Sequence, residues 1–231
     1  IGLAPRMMAI STAQELRENL GEDDFFTDTI DRNIEEIERL FCKPDLRCVM
    51  ETVAPDGAIL DTYDGRLLNP GHAIEAAWFI MKEGNHRQRK PLVHLGCRML
   101  EWMWERGWDR KHGGLFHFRD VSDLPVQESS HDMKLWWPHD EAITASLMAW
   151  LLTGDKKYKL MHQQVHEWSF KTFADTEHGE WFGHVHRDGR ISSSAKGDMW
   201  KSFFHHPRML WTCWQICKDW SEAKSRTTAS K

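Results

Sequence analysis

Asn69-Pro70-Gly71-His72-Ala73-Ile74-Glu75-Ala76-Ala77-Trp78-Phe79 leads into an apolar run at helical spacing. Two later segments begin in the same way, Trp136-Trp137-Pro138-His139 and Phe204-His205-His206-Pro207. Their histidines stand at positions 72, 139 and 206, an interval of 67 residues both times. One interval further back lands on Pro5, in Ala4-Pro5-Arg6, again before an apolar helical run. Such a period marks a repeated supersecondary unit, and stacked units bring equivalent helix starts side by side. Histidine is the side chain best suited to move protons near neutral pH. Chemistry is therefore expected at a ring of helix heads.

The repeat orders the rest of the chain. Helices are expected over about residues 5–20, 24–42, 72–82, 92–106, 139–152, 157–173 and 206–220. Gly21, Pro44, Gly84, Gly107 and Gly154 stop the first five. A short extended stretch covers 48–53. Asp109-Arg110-Lys111-His112-Gly113-Gly114 and Asp175-Thr176-Glu177-His178-Gly179 are matching turns into strands, and Arg187-Asp188-Gly189-Arg190 closes a hairpin. The unit is helix, glycine turn, helix, β-hairpin. Three units are complete and a fourth supplies its first helix. First helices are rich in Ala, Met, Leu and Trp, and second helices carry more charge, as at Glu35, Glu36, Glu38 and Arg39. That contrast predicts an all-α fold, a toroid of inner and outer helices. Residues 1–220 form one domain, and 221–231 a polar, disordered tail. Three and a half units leave the closing edges bare. Either the solenoid is open, or part of a closed ring lies outside this sequence, as the start at Ile1 instead of Met also suggests.

Composition narrows the function. The 231 residues carry a net charge of −5 and are 41% apolar, with 13 Trp against 2 Tyr. A nucleic-acid binder would need a basic face. No apolar run is long enough to span a membrane and no signal peptide is visible, so a cytoplasmic location is expected. The five cysteines include no C-x-x-C pair, and Cys213 and Cys217 read as reduced core thiols. Trp102, Trp150, Trp168 and Trp214 are expected in the core. Trp136 and Trp137, beside His139, could equally offer a sugar platform.

Each helix head carries charged company. Glu75 follows His72 by one turn, Asp140 and Glu141 follow His139, and Arg208 follows His205 and His206. Converging acids, bases and a cation suit proton abstraction beside a carbonyl. Capping is the plainer explanation of a single such histidine, but three in register weaken it. His112 and His178 sit in turns that Gly and Asp explain by themselves. No metal site is expected: His184-x-His186 and His139-Asp140-Glu141 lack a complete ligand motif, and no phosphate-binding glycine loop or nucleophile elbow is present.

At these residues the chain resembles the N-acylglucosamine 2-epimerase family, which includes the mammalian renin-binding protein. The resemblance is carried by residues 69–79, by Trp108-Asp109 through Phe116, and by Met133-Lys134-Leu135-Trp136-Trp137-Pro138-His139. Glu180-Trp181-Phe182-Gly183 and Phe204-His205-His206-Pro207-Arg208 extend it nearly to the end. It implies an (α/α)6 barrel, of which this chain matches the C-terminal portion; the family's catalytic arginine near the start of the barrel has no counterpart here. It also implies inversion at C2 of N-acetylglucosamine to give N-acetylmannosamine. His72, Glu141, His205 and Arg208 match catalytic positions, and Glu75, Trp136, Trp137 and His139 are expected to hold the sugar. Asp140 and His206 depart from the family pattern, which has a small and an apolar residue there. No cofactor is required for the chemistry. ATP or another nucleotide as activator, a homodimer, and renin as protein partner are expectations from the family. The alternatives are an aldose–ketose isomerase, a cellobiose or mannose 2-epimerase, and a non-catalytic sugar- or protein-binding member.

Overall fold

Apolar residues at helical spacing build seven α-helices among residues 1–229, the part of the chain that the computed structural model describes. They are α1 (Leu3–Leu20), α2 (Asp24–Glu36), α3 (Pro70–His86), α4 (Lys90–Gly107), α5 (Trp136–Thr153), α6 (Lys156–Phe173) and α7 (His205–Ala229). Asp23, Asn69 and Asp155 cap α2, α3 and α6, each accepting a backbone N–H two or three residues on. Gly154 ends α5 at φ 71°, a left-handed conformation that costs glycine little.

The helices form two layers. α1, α3, α5 and α7 pack in succession, while α2 lies on α1, α4 on α3 and α6 on α5. The inner α3 and α5 are buried on nearly every side. Short antiparallel strands tie each pair. β1 (Cys42–Lys43) pairs β2 (Cys48–Val49), β3 (Leu67–Leu68) pairs β4 (Arg119–Asp120), and β5 (Lys134–Leu135) pairs β6 (His184–Val185). β3 leads into α3 and β4 follows α4; β5 leads into α5 and β6 follows α6. A Gly2–Thr52 bridge does the same for α1 and α2. Of the inner helices, α3 and α5 therefore begin at a two-stranded clasp and α1 at a single bridge, and these starts share one end of the arc.

The matching turns are backbone chemistry. Asp109 accepts from the N–H groups of Lys111 and His112, and Asp175 from those of Glu177 and His178. Buried charge also joins neighbouring inner helices: Glu83 of α3 accepts from Arg17 and Gln14 of α1 and from Arg87.

Several boundaries differ from the spacing. α3 runs past Gly84 to His86, because a Cβ at Gly84 would lie 2.8 Å from Val93 N and the bare glycine admits the start of α4. A π-helical turn, Ile37–Phe41, finishes the second helical stretch. Residues 221–229, expected as a disordered tail, continue α7; residues 230 and 231 lie outside the described part.

Cys213 is half-buried against the core, whereas Cys217 is exposed and Trp214 53% exposed, so the last two are not core. The reason lies in the repeat. Ile143 and Leu147 of α5, beneath α6, are 1% and 5% exposed. Leu210 and Trp214, one interval later, are 48% and 53% exposed, since no described helix covers that face of α7. The bare edge expected of an unclosed toroid is thus present.

Candidate active site

The heads of α3, α5 and α7 bring their polar side chains together. His72 and Glu75 are one turn apart on α3, as are His205 and Arg208 on α7, so each pair shares a helix face. Glu141 of α5 stands between them. Its Oε1 accepts from His205 Nδ1 and Arg208 Nη2, both at 2.7 Å, and its Oε2 from Trp78 Nε1 at 2.7 Å. Arg208 also donates to Glu75 Oε1. On the other side, His72 Nδ1 lies 2.9 Å from Glu51 Oε1. The Trp137 ring sits between the two imidazoles, with centroids 5.1 Å from His72 and 5.4 Å from His205.

Exposure separates the roles. The side chains of His72, His205 and Arg208 are 29%, 18% and 19% exposed, whereas those of Glu75 and Glu141 are each 2% exposed. Imidazole and guanidinium edges thus face outward with carboxylates behind them.

Electrostatics follow this layering. Burial opposes ionisation of Glu141, but the Arg208 charge and the bond to His205 outweigh it and hold its pKa near 2. Burial and the neighbouring Glu141 raise Glu75. Burial also works against a charged His72, yet the bond and charge of Glu51 prevail and raise its pKa. A carboxylate can only accept, so the bond to Glu141 places a proton on His205 Nδ1 and leaves its Nε2 for other partners.

Glu75, Glu141 and His205 offer ligand atoms within 4.8 Å of one another, among the described residues the one such group of three or more. Arg208 reaches into that group, so its guanidinium answers the charge of both carboxylates.

Not every expected residue belongs to the site. His139 is fully buried: Nδ1 donates to Leu135 O at 2.6 Å and Nε2 accepts from Leu115 N at 2.9 Å. Burial lowers its pKa to about 3, and both nitrogens are spent, so it anchors the α5 head instead of holding a sugar. Trp136 is 2% exposed and packs over Gly183, leaving no open face for a ligand. Trp137, 8% exposed between the imidazoles, is the better placed of the two.

Glu51 was not foreseen, because it stands in an irregular stretch with no motif around it. His117, beside Trp137 with its pKa lowered to about 4 by burial and the nearby His72 and His184, gave no signal either.

The pattern that defines the N-acylglucosamine 2-epimerase (GlcNAc 2-epimerase) family matches residues 12–208. The chain belongs to the N-acylglucosamine 2-epimerase family. It is 42% identical to N-acylglucosamine 2-epimerase of Bos taurus over 168 residues, 72% of this chain and 40% of the relative. With that of Rattus norvegicus it is 36% identical over 223 residues, 93% of this chain and 51% of the relative. The chain thus spans about half the length of the curated relatives it matches. Cellobiose 2-epimerase from Bacillus thermoamylovorans superposes with a TM-score of 0.76 at 18% identity, over 94% of this chain and 53% of that one. This likeness shows the fold, an (α/α)6 barrel, and the seven helices are an arc of it.

Proposed function

We propose that this chain carries the C2 acid–base centre of a sugar 2-epimerase interconverting N-acetylglucosamine and N-acetylmannosamine. The observation that carries the reading is the pair of outward imidazoles, His72 and His205, each backed by a carboxylate and set on either side of Trp137. The family membership supports the substrate class.

The C2 proton of an aldose is acidic only while C1 is an open-chain aldehyde. One imidazole Nε2 removes it, an enolate with its charge on the C1 oxygen forms, and the other imidazolium returns a proton to C2 from the opposite face. Inversion needs two bases on opposite sides, and a histidine pKa suits both removal and return near neutral pH. Arg208 stabilises the oxygen that gains charge at C1, an effect of about 3–4 kcal/mol where one such donor is removed. Glu141 holds His205 in its Nδ1–H tautomer.

The test is incubation of the protein with N-acetylglucosamine in deuterated water. NMR is expected to show deuterium at C2 and N-acetylmannosamine accumulating, both lost in His205→Ala. A ketose product would assign an aldose–ketose isomerase instead. Undiminished exchange in His205→Ala would remove His205 from the chemistry.

A further inference from the structure

Glu51 reaches His72 from outside α3 and is tightly placed. Its N–H donates to Leu67 O at 3.2 Å and its carbonyl accepts from Leu3 N at 2.9 Å, so its backbone is pinned where α1 and β3 meet. Its Oε1 lies 2.9 Å from His72 Nδ1, and its Oε2 is buried without a partner. The contrast with Glu141 is chemical. Glu141 divides its charge between His205, Arg208 and Trp78. Among the described residues Glu51 has one ion-pair partner, His72. A carboxylate with an unsatisfied buried oxygen is costly unless a positive charge faces it.

We propose that Glu51 is the positioning residue of His72, holding the imidazole with a proton on Nδ1 and Nε2 directed outward. What Nε2 then does to a sugar rests on the epimerase reading; the pairing does not. The charge state follows from the groups around the ring: Glu51 from the stretch after β2, Glu75 from α3 itself, Glu141 from α5, and His117 from the segment after α4. Burial disfavours the imidazolium and the three carboxylates favour it, Glu51 most. One competitor exists. Asn69 Nδ2 lies 3.0 Å from the same His72 Nδ1. Were Asn69 the donor to that nitrogen, the neutral ring would carry its proton on Nε2 and would face the substrate with no lone pair to take a proton.

The experiment is long-range proton–nitrogen NMR of the full chain, with labelled histidine, titrated through neutral pH. In the wild type the His72 midpoint is expected above 6.5, and its neutral form is expected to keep the proton on Nδ1. Glu51→Gln is expected to lower that midpoint by about one pH unit or more, while Glu51→Asp retains part of the effect and His205 is unmoved. A neutral wild-type His72 with its proton on Nε2, or a midpoint unchanged in a folded Glu51→Gln, would overturn the proposal. The wild-type spectrum decides even where the variant does not fold. Turnover separates the two readings: Glu51→Gln is expected to lower kcat more than it raises KM. Lack of C2 exchange by the wild type would count against the epimerase and not against the pairing.

Discussion

Asp140 Oδ1 lies 3.0 Å from His206 Nδ1, one residue beside the Glu141–His205 pair on both helices. Asp140 and His206 are thus each other's partner. Asp140 is fully buried and its Oδ2 has no partner. Burial raises its pKa to about 6, with His206 pulling the other way. A group raised in the folded state stabilises fully below its unfolded pKa of about 3.8, and that contribution is lost as pH rises through about 6. Asp140→Asn keeps an oxygen for the His206 N–H without the charge. Urea denaturation is expected to show the variant gaining on the wild type between pH 4 and pH 7, by about 2–3 kcal/mol. A constant difference across that range would show that Asp140 does not titrate as its burial implies.

Glu83 has the opposite sign. Burial works against its charge, but its bonds to Arg17, Arg87 and Gln14 bring its pKa down to about 2. Its contribution is present above the unfolded value of about 4.5 and is lost as pH falls through about 2. Glu83→Ala leaves Arg17, whose side chain is 4% exposed, without its main counter-charge where α1 meets α3. A loss of about 3–5 kcal/mol is expected at pH 7 by chemical denaturation. The difference from the wild type should shrink in strong acid.

The repeat was legible because an interval of 67 residues aligns helix heads, and the alternation of apolar and charged helices separates inner from outer layers. His72, Glu75, Glu141, His205 and Arg208 do converge, as their helix positions implied. Periodicity could not rank the histidines. His139 and His206 are equivalent by register, yet α6 and the turn at Leu115 bury the first, while α7 lacks such cover. Glu51 was illegible because its place depends on pairing with Leu3 and Leu67, contacts far away in sequence. Trp214 was misplaced for the converse reason: helical spacing marks an apolar face, but only a neighbouring helix makes it core.

Gly71 controls how closely α3 approaches Trp137. A Cβ there would lie 2.3 Å from Trp137 Cζ3 and 3.1 Å from Pro138 Cβ. Trp137 is wedged between two imidazoles and has no room to yield. Gly71→Ala is expected to cost about 1–3 kcal/mol in stability, as overpacking of a filled core does. It should also shift the ring resonances of both His72 and His205 in the same NMR spectra. A shift at neither histidine would mean that Trp137 keeps its place and the clash is relieved elsewhere.

Arg208 joins Glu75 to Glu141 through one nitrogen, Nη2, while its guanidinium carbon lies 4.4 Å from the Phe204 ring centre. Its planar, delocalised charge both stacks and pairs, which a lysine ammonium on a shorter reach does not reproduce. Arg208→Lys therefore tests geometry at constant charge. If the guanidinium steadies the C1 enolate oxygen, kcat for C2 exchange is expected to fall by about 100-fold or more, with KM changed far less. If it only neutralises the two buried carboxylates, lysine should restore most of the rate, and Arg208→Ala alone should be inactive. The ratio of the two variants' kcat values, measured at one pH, separates transition-state stabilisation from charge balance.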